Sequence, residues 1–198
     1  MKVKRFLCML LCMVLAFSLV PEVGVLTVDA GTEVQERVIL DFDTDWLYSS
    51  VDYENGQEAK LDDSGFEKVS VPHANTILDT HKGNQFPNEI ASYRFVSWYR
   101  RHFKLPEAYT GRKIQVEFEG VATVADVYLN GKLLVNHEGA YTGFTVDITD
   151  DVYTDGRDNV LAVRVDSEKQ TEIPPEGGVV DYCLFGGIVR DVSMIITD

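Results

Sequence analysis

The sequence predicts an all-β sandwich. Two observations carry that prediction: short runs of strictly alternating polar and apolar residues, and turn signals set between them at short intervals. A third is negative, since no segment has apolar residues at helical spacing over enough turns to make an amphipathic helix.

Lys113-Ile114-Gln115-Val116-Glu117-Phe118-Glu119 alternates without a break and puts Ile114, Val116 and Phe118 on one face of a strand. Asn159 to Asp166 does the same with Leu161, Val163 and Val165. Val124 to Leu129 is a third strand. Asn130-Gly131 after it is the two-residue signal for a type I′ hairpin, returning the chain through Leu133 and Val135. Arg37 to Phe42, Phe66 to Val71, Ser97 to Leu105, Phe144 to Thr149 and Ile188 to Ile196 complete the set. Eight or more strands in about 165 residues are the content of one two-sheet domain. The one long irregular stretch, Val71 to Ser92, is rich in Pro, His, Asn and Gly, and loops of that length are functional or disordered.

Residues 1–30 read as a secretory signal rather than as part of this domain. Lys2, Lys4 and Arg5 form a basic start, Phe6 to Val20 is apolar, and Val28-Asp29-Ala30 offers a cleavage site before Gly31. The apolar run is about 15 residues where about 20 are needed to span a membrane. Cys8 and Cys12 each follow leucine, which argues against a lipoprotein site. Localisation is therefore expected to be secreted, cell-surface or periplasmic, with residues 31–198 as one domain.

Removing the leader takes away Lys2, Lys4, Arg5, Glu22 and Asp29, so 18 basic and 32 acidic side chains become 15 and 30. Such an acidic chain lacks the basic face that nucleic acid or an anionic membrane requires. Cys183 is then the remaining cysteine, which excludes an intrachain disulfide, and between Tyr182 and Leu184 it reads as a small packed hydrophobe. His73, His81, His102 and His137 stand at no metal-ligand spacing. Neither a phosphate-binding glycine loop nor a Gly-x-Ser-x-Gly elbow occurs.

Sugar recognition has more support. Carboxylates and amides accept hydrogen bonds from sugar hydroxyls, while aromatic rings cover the C–H faces. Asp181, Tyr182 and Phe185 on one loop fit that pattern, and Asn75, Asn84, Phe86 and Asn88 on the long loop offer a second wall. The alternative is that these rings close the end of the sandwich and that the acid caps a turn. On composition alone both readings stay open.

The ordered series SWYRRHFKLP, GRKIQVEFEGVATVADVYLNGKLL, NHEGAYTGFTVDITD, NVLAVRVD and PPEGGVVDYCLFGGIVRDV resembles the N-terminal sugar-binding domain of glycoside hydrolase family 2. The β-galactosidase branch is the nearest, through a loop acid shortly before Phe-Gly-Gly-Ile-x-Arg-Asp-Val. The resemblance covers roughly residues 37 to 198 and implies a jelly-roll β-sandwich of the galactose-binding-domain type. It further implies an immunoglobulin-like domain and a catalytic TIM barrel as partners, the barrel supplying two glutamates for hydrolysis with retention. By the family pattern Asp181 matches the acid that binds the non-reducing galactose and helps hold a sodium ion. Magnesium belongs to the full-length family enzyme. Asn84 matches a substrate-contacting asparagine, with Tyr182 and Phe185 beside Asp181. Arg190 and Asp191 match structural partners in the last strand.

Two positions depart from the pattern: Ala140 replaces a common glycine and Val189 a frequent aromatic. A β-galactoside or similar carbohydrate is the implied ligand, with no catalytic residue in this sequence. A free-standing carbohydrate-binding jelly roll, a purely structural sandwich, and the same domain of a β-glucuronidase or β-mannosidase are the alternatives.

Overall fold

In the computed structural model, residues 37–76, 94–168, 170–174 and 185–198 are described. They form a jelly-roll β-sandwich. The twelve strands are β1 (Val38–Asp41), β2 (Trp46–Ser49), β3 (Glu67–Val69), β4 (Val96–Lys104), β5 (Lys113–Phe118) and β6 (Val121–Ala122). They continue with β7 (Val124–Leu129), β8 (Lys132–Glu138), β9 (Phe144–Asp147), β10 (Asp158–Asp166), β11 (Gly187–Ile188) and β12 (Val192–Thr197). A four-stranded sheet runs β1-β12-β5-β9 and a six-stranded sheet β3-β2-β4-β10-β7-β8, while β11 and β6 form a separate pair. The one helical element among the described residues is a 3₁₀ turn at Glu107–Tyr109.

Alternation decides which residues meet. Ile114, Val116 and Phe118 of β5 and Val192, Met194 and Ile196 of β12 face across to Trp46, Tyr99, Val127, Leu161, Val163 and Val165. Phe118 is fully buried, stacks on Phe144 at 5.1 Å and approaches Trp46 at 6.5 Å. The predicted hairpin is present, with Asn130 at φ 52° and Gly131 at φ 91°. Its return strand carries a bulge: Val127 pairs with Val135 but Tyr128 with Leu133, so Leu134 is the extra residue and Leu133 turns outward.

β4 is buried on both faces, which strict two-sheet packing does not explain. The segment between β2 and β3 folds over the outer face of the six-stranded sheet. Gly56 lies flat on the Trp98 indole, where an added Cβ would come within 2.3 Å of the ring. Asp52 accepts from Trp98 Nε1 at 3.0 Å and from Arg164 at 2.8 Å, and Asp63 accepts from Arg100 Nε at 2.7 Å. His102 bridges Asp63 and Asp158 at 3.0 and 2.6 Å. Burial alone would depress its pKa, but those two carboxylates outweigh burial and raise it above the usual 6.5.

Two expectations need correction. Ile188 to Ile196 is not one strand: β11 pairs with β6, the chain turns at Val189–Asp191, and β12 then joins β1 and β5. The break is fixed by Val189 donating to the Gly120 carbonyl at 3.1 Å and Glu119 to the Asp191 carbonyl at 3.0 Å. Arg190 and Asp191 therefore belong to that turn, with the Arg190 stem 3.1 Å from where a Gly120 Cβ would stand. The second correction is β2, which the Asp, Thr and Ser around Trp46–Ser49 hid. The expected leader, residues 1–30, lies outside the described residues.

Phe118→Ala should lower unfolding free energy by about 3–5 kcal/mol, because it empties a ring-sized volume between the sheets. Glu117→Ala, on the opposite face of β5, should change it by no more than about 0.5 kcal/mol. Urea denaturation of the two variants checks the register.

Candidate functional site

Tyr48 and Tyr99 stand side by side on β2 and β4, their rings 5.1 Å apart and facing the core. Their hydroxyls cannot stay unpaired there. The sequence after β3 supplies the partners. Tyr48 donates to the Asn75 carbonyl at 3.1 Å, and the Tyr99 hydroxyl lies 2.8 Å from His73 Nδ1. The Ile188 backbone N–H is also directed at the Tyr99 oxygen.

Held in this way, His73 to Asn75 lies along Gly186 to Ile188. His73 N–H donates to the Ile188 carbonyl at 2.7 Å and Asn75 N–H to the Gly186 carbonyl at 2.8 Å. Gly186 N–H returns a bond to Asn75 Oδ1 at 3.0 Å. The approach leaves no room for side chains. A Cβ on Gly186 would stand 1.7 Å from Ser167 Oγ, and one on Gly187, at φ +120°, 2.4 Å from the His73 carbonyl. Both glycines are required by packing, and Gly187 also by its backbone angle.

A second junction lies alongside. Ser167 follows β10; its N–H faces the Phe95 carbonyl at 3.4 Å and its hydroxyl donates to the Ala122 carbonyl at 2.8 Å. Arg94 Nε donates to the Ser167 carbonyl at 3.0 Å. Arg94, Thr123, Tyr141, Ser167 and Phe185 border a small concavity, partly open to solvent and with room for about one water, and Ala122 and Ala140 complete its wall.

A family model described as Glycosyl hydrolase 2 galactose-binding domain-like matches residues 73–177. The β-galactosidase of Thermoanaerobacter pseudethanolicus is 49% identical over 160 residues, which are 81% of this chain and 21% of that protein. The chain belongs to glycoside hydrolase family 2. A β-glucuronidase of Formosa agariphila is 32% identical over 68% of this chain and 14% of its own length. Among solved structures, a Bacteroides uniformis β-glucuronidase superimposes with a TM-score of 0.68 at 28% identity, covering 81% of this chain and 18% of that one. This family 2 domain thus spans about a fifth of the length of the relatives it matches.

Of the predicted sugar-contacting residues, Phe185 is within the described part of the domain and borders the concavity. Asp181, Asn84 and Tyr182 lie outside the described residues, as do Phe86, Asn88 and Cys183. Asp181 is also the sole residue assigned to sodium, and among the described residues no group of three or more His, Cys, Asp or Glu could hold a metal ion. Asn75, which the sequence offered for the second wall, is tied into the junction. It is 8% exposed, and its amide oxygen is bonded to Gly186. The roles of Tyr48, Tyr99, Arg94 and Ser167 carried no sequence signal beyond their places at strand ends and in aromatic pairs.

Gly186→Ala should cost about 1–3 kcal/mol or more, since Ser167 would have to give up its bond to the Ala122 carbonyl to make room. Gly65→Ala, where an added methyl meets nothing within 4 Å, should be neutral or slightly stabilising in the same thermal melts.

A pH effect follows from His73. Burial lowers its pKa below 6.5 against a weaker opposing pull from Glu67. The unfolded chain therefore takes up a proton that the folded chain resists, so this contribution is complete above about pH 6.5 and falls away below it. His73→Asn keeps an acceptor near the Nδ1 position but cannot be protonated. The stability gap between wild type and His73→Asn should shift in favour of the variant from pH 7.5 to 5.5; an unchanged gap would show that His73 does not titrate in this way.

Proposed function

We propose that this domain forms the sugar-binding wall of a secreted, β-galactosidase-like hydrolase and performs no chemistry itself. The observation that carries the reading is the pair of junctions just described. Described residues beside the segments that bear Asn84 and Asp181 are bonded to each other, Asn75 with Gly186 and Arg94 with Ser167. On this reading the Asp181 carboxylate accepts a pair of sugar hydroxyls, and Phe185 follows it four residues later in the chain. The 49% identity to a β-galactosidase supports galactose as the sugar. Asp181 is then the residue that would also help hold sodium. Retaining hydrolysis needs two carboxylates about 5–5.5 Å apart; on this reading both come from a catalytic barrel beyond an immunoglobulin-like domain. Residues 1–30 would direct the protein out of the cytoplasm.

The β-glucuronidase named above, and the superimposed glucuronidase structure, favour a second reading in which the sugar is a glucuronide. Turnover of p-nitrophenyl β-galactoside against the β-glucuronide by the protein at its natural length separates the two.

Asp181→Asn in that protein should leave Tm almost unchanged and cost about 2–4 kcal/mol of transition-state binding, read from kcat/KM. A large fall in Tm with unaltered kinetics would make Asp181 a structural acid and defeat the proposal. Residues 31–198 alone should not hydrolyse either substrate. They should bind galactose with millimolar affinity at best, roughly −4 kcal/mol, in an NMR titration.

A further inference from the structure

Asparagine precedes glycine twice in the chain, at Asn55-Gly56 and at Asn130-Gly131. In such a pair the backbone can attack the asparagine side chain, because glycine has no side chain to shield its peptide nitrogen. The two pairs look equivalent in the sequence. In the fold they are not.

Asn130 is locked. Its Nδ2 donates to the Asp151 carbonyl at 3.2 Å and to Asn159 Oδ1 at 3.0 Å, and its Oδ1 accepts from the Val160 N–H at 2.9 Å. Turning its Cγ toward the Gly131 nitrogen would break all three bonds and leave the N–H of buried Val160 unpaired. Asn55 has no such restraint. It is exposed, and among the described residues its side-chain amide has no hydrogen-bond partner. Its main chain is tied by Glu58 N–H to the Asn55 carbonyl at 3.0 Å, a bond that attack leaves intact. The bond that must break is the longer one, from Gly56 N–H to the Tyr53 carbonyl at 3.2 Å. Packing keeps the glycine there, since an added Cβ at 56 would come within 2.3 Å of the Trp98 ring. An unshielded peptide nitrogen is thus held next to an unrestrained amide.

We propose that Asn55 is a site of spontaneous deamidation, and that the fold protects Asn130 from the same reaction. The Gly56 nitrogen attacks Asn55 Cγ. The N–Cγ bond forms, the Cγ–Nδ2 bond breaks, and ammonia leaves with the proton of the Gly56 N–H. Solvent water then opens the cyclic imide. Opening at the side-chain carbonyl gives aspartate; opening at the main-chain carbonyl gives isoaspartate, which lengthens the backbone by a methylene. A lengthened backbone cannot keep Gly56 both flat on Trp98 and bonded through its carbonyl to Arg100 Nη1. Modification of this exposed residue therefore loosens the segment that covers Trp98 and Arg100.

The test ages the protein at its natural length in mildly alkaline buffer and follows the two peptides by mass, conversion adding about one mass unit. Asn55 should convert at least about tenfold faster than Asn130, and in urea that ratio should fall to within about threefold, because the lock at Asn130 belongs to the fold. Enzymatic methylation of isoaspartate should label aged wild type at residue 55. It should not label that position in Asn55→Gln, whose longer side chain does not close the imide ring readily. Hydrogen exchange at the Gly56 and Phe66 amides, bonded within the covering segment, should quicken in aged wild type and stay unchanged in aged Asn55→Gln. Equal conversion at the two sites in the folded protein, a ratio that persists in urea, or no conversion at Asn55 would overturn the proposal. Aged wild type that carries isoaspartate at 55 yet exchanges like fresh protein would overturn the loosening of the cover.

Discussion

The exchange of hydrogen bonds between Asn75 and Gly186 is the constraint on which the site end of the molecule depends. Two strands of chain 111 residues apart in sequence pass within 3.0 Å of each other. A residue with a side chain at 186 would hold them apart, and a residue without an acceptor at 75 would leave a buried N–H unpaired, at a cost of about 1–3 kcal/mol. The tyrosines beneath them answer a related requirement. Tyr48 and Tyr99 contribute their rings to the core and their hydroxyls to the crossing, so the same side chains stabilise the sandwich and locate the site. Burial drives the Tyr48 pKa up to about 12 and raises that of Tyr99 well above the usual 10, which keeps both protonated and able to donate at any physiological pH.

What could be read in the sequence follows from how local each signal is. Ile114, Val116 and Phe118 announced their face because side-chain alternation is a property of one strand. The Asn130-Gly131 hairpin announced itself because its backbone angles require those residue types. β2 did not, since four residues between turn formers become a strand only when β4 lies beside them. The split of the last predicted strand was hidden for the same reason: Val189 leaves the line because Gly120 is there to accept from it. At the site, Gly186-Gly187 reads in one dimension as a release of the chain. In the fold Gly186 is, among the described glycines, the one where an added Cβ would come nearest to a neighbouring atom. Asn75 reads as an exposed amide on a polar loop, and the structure buries it; only its distant partner explains why.

β4 shows how one stretch can serve both faces of the molecule. In SWYRRHF, Trp98, Arg100 and His102 point outward and hold the covering segment, while Tyr99, Arg101 and Phe103 point inward. Arg101 lies 3.4 Å over the Phe42 ring, an arrangement that lets a buried guanidinium keep an electrostatic partner within the apolar layer. Arg100 is fully buried under the covering segment, held by Asp63 and the Gly56 carbonyl. Removing Asp63 would strand that charge, so the segment is fixed to the sheet more firmly than its irregular backbone suggests.

The two faces also answer pH in opposite senses. His102, between Asp63 and Asp158, has its pKa raised, so its contribution is complete below about pH 6.5 and is lost as the pH climbs through the folded value. His73, against Tyr48 and Tyr99, has its pKa lowered, and its contribution disappears in the other direction. Mild acid therefore tightens the outer covering while it loosens the crossing at the site. The crossing at Asn75 and Gly186 is thus a part of the fold that acid loosens, because burial lowers the pKa of the histidine beside it and, among the described residues, the pull of Glu67 is too weak to offset that.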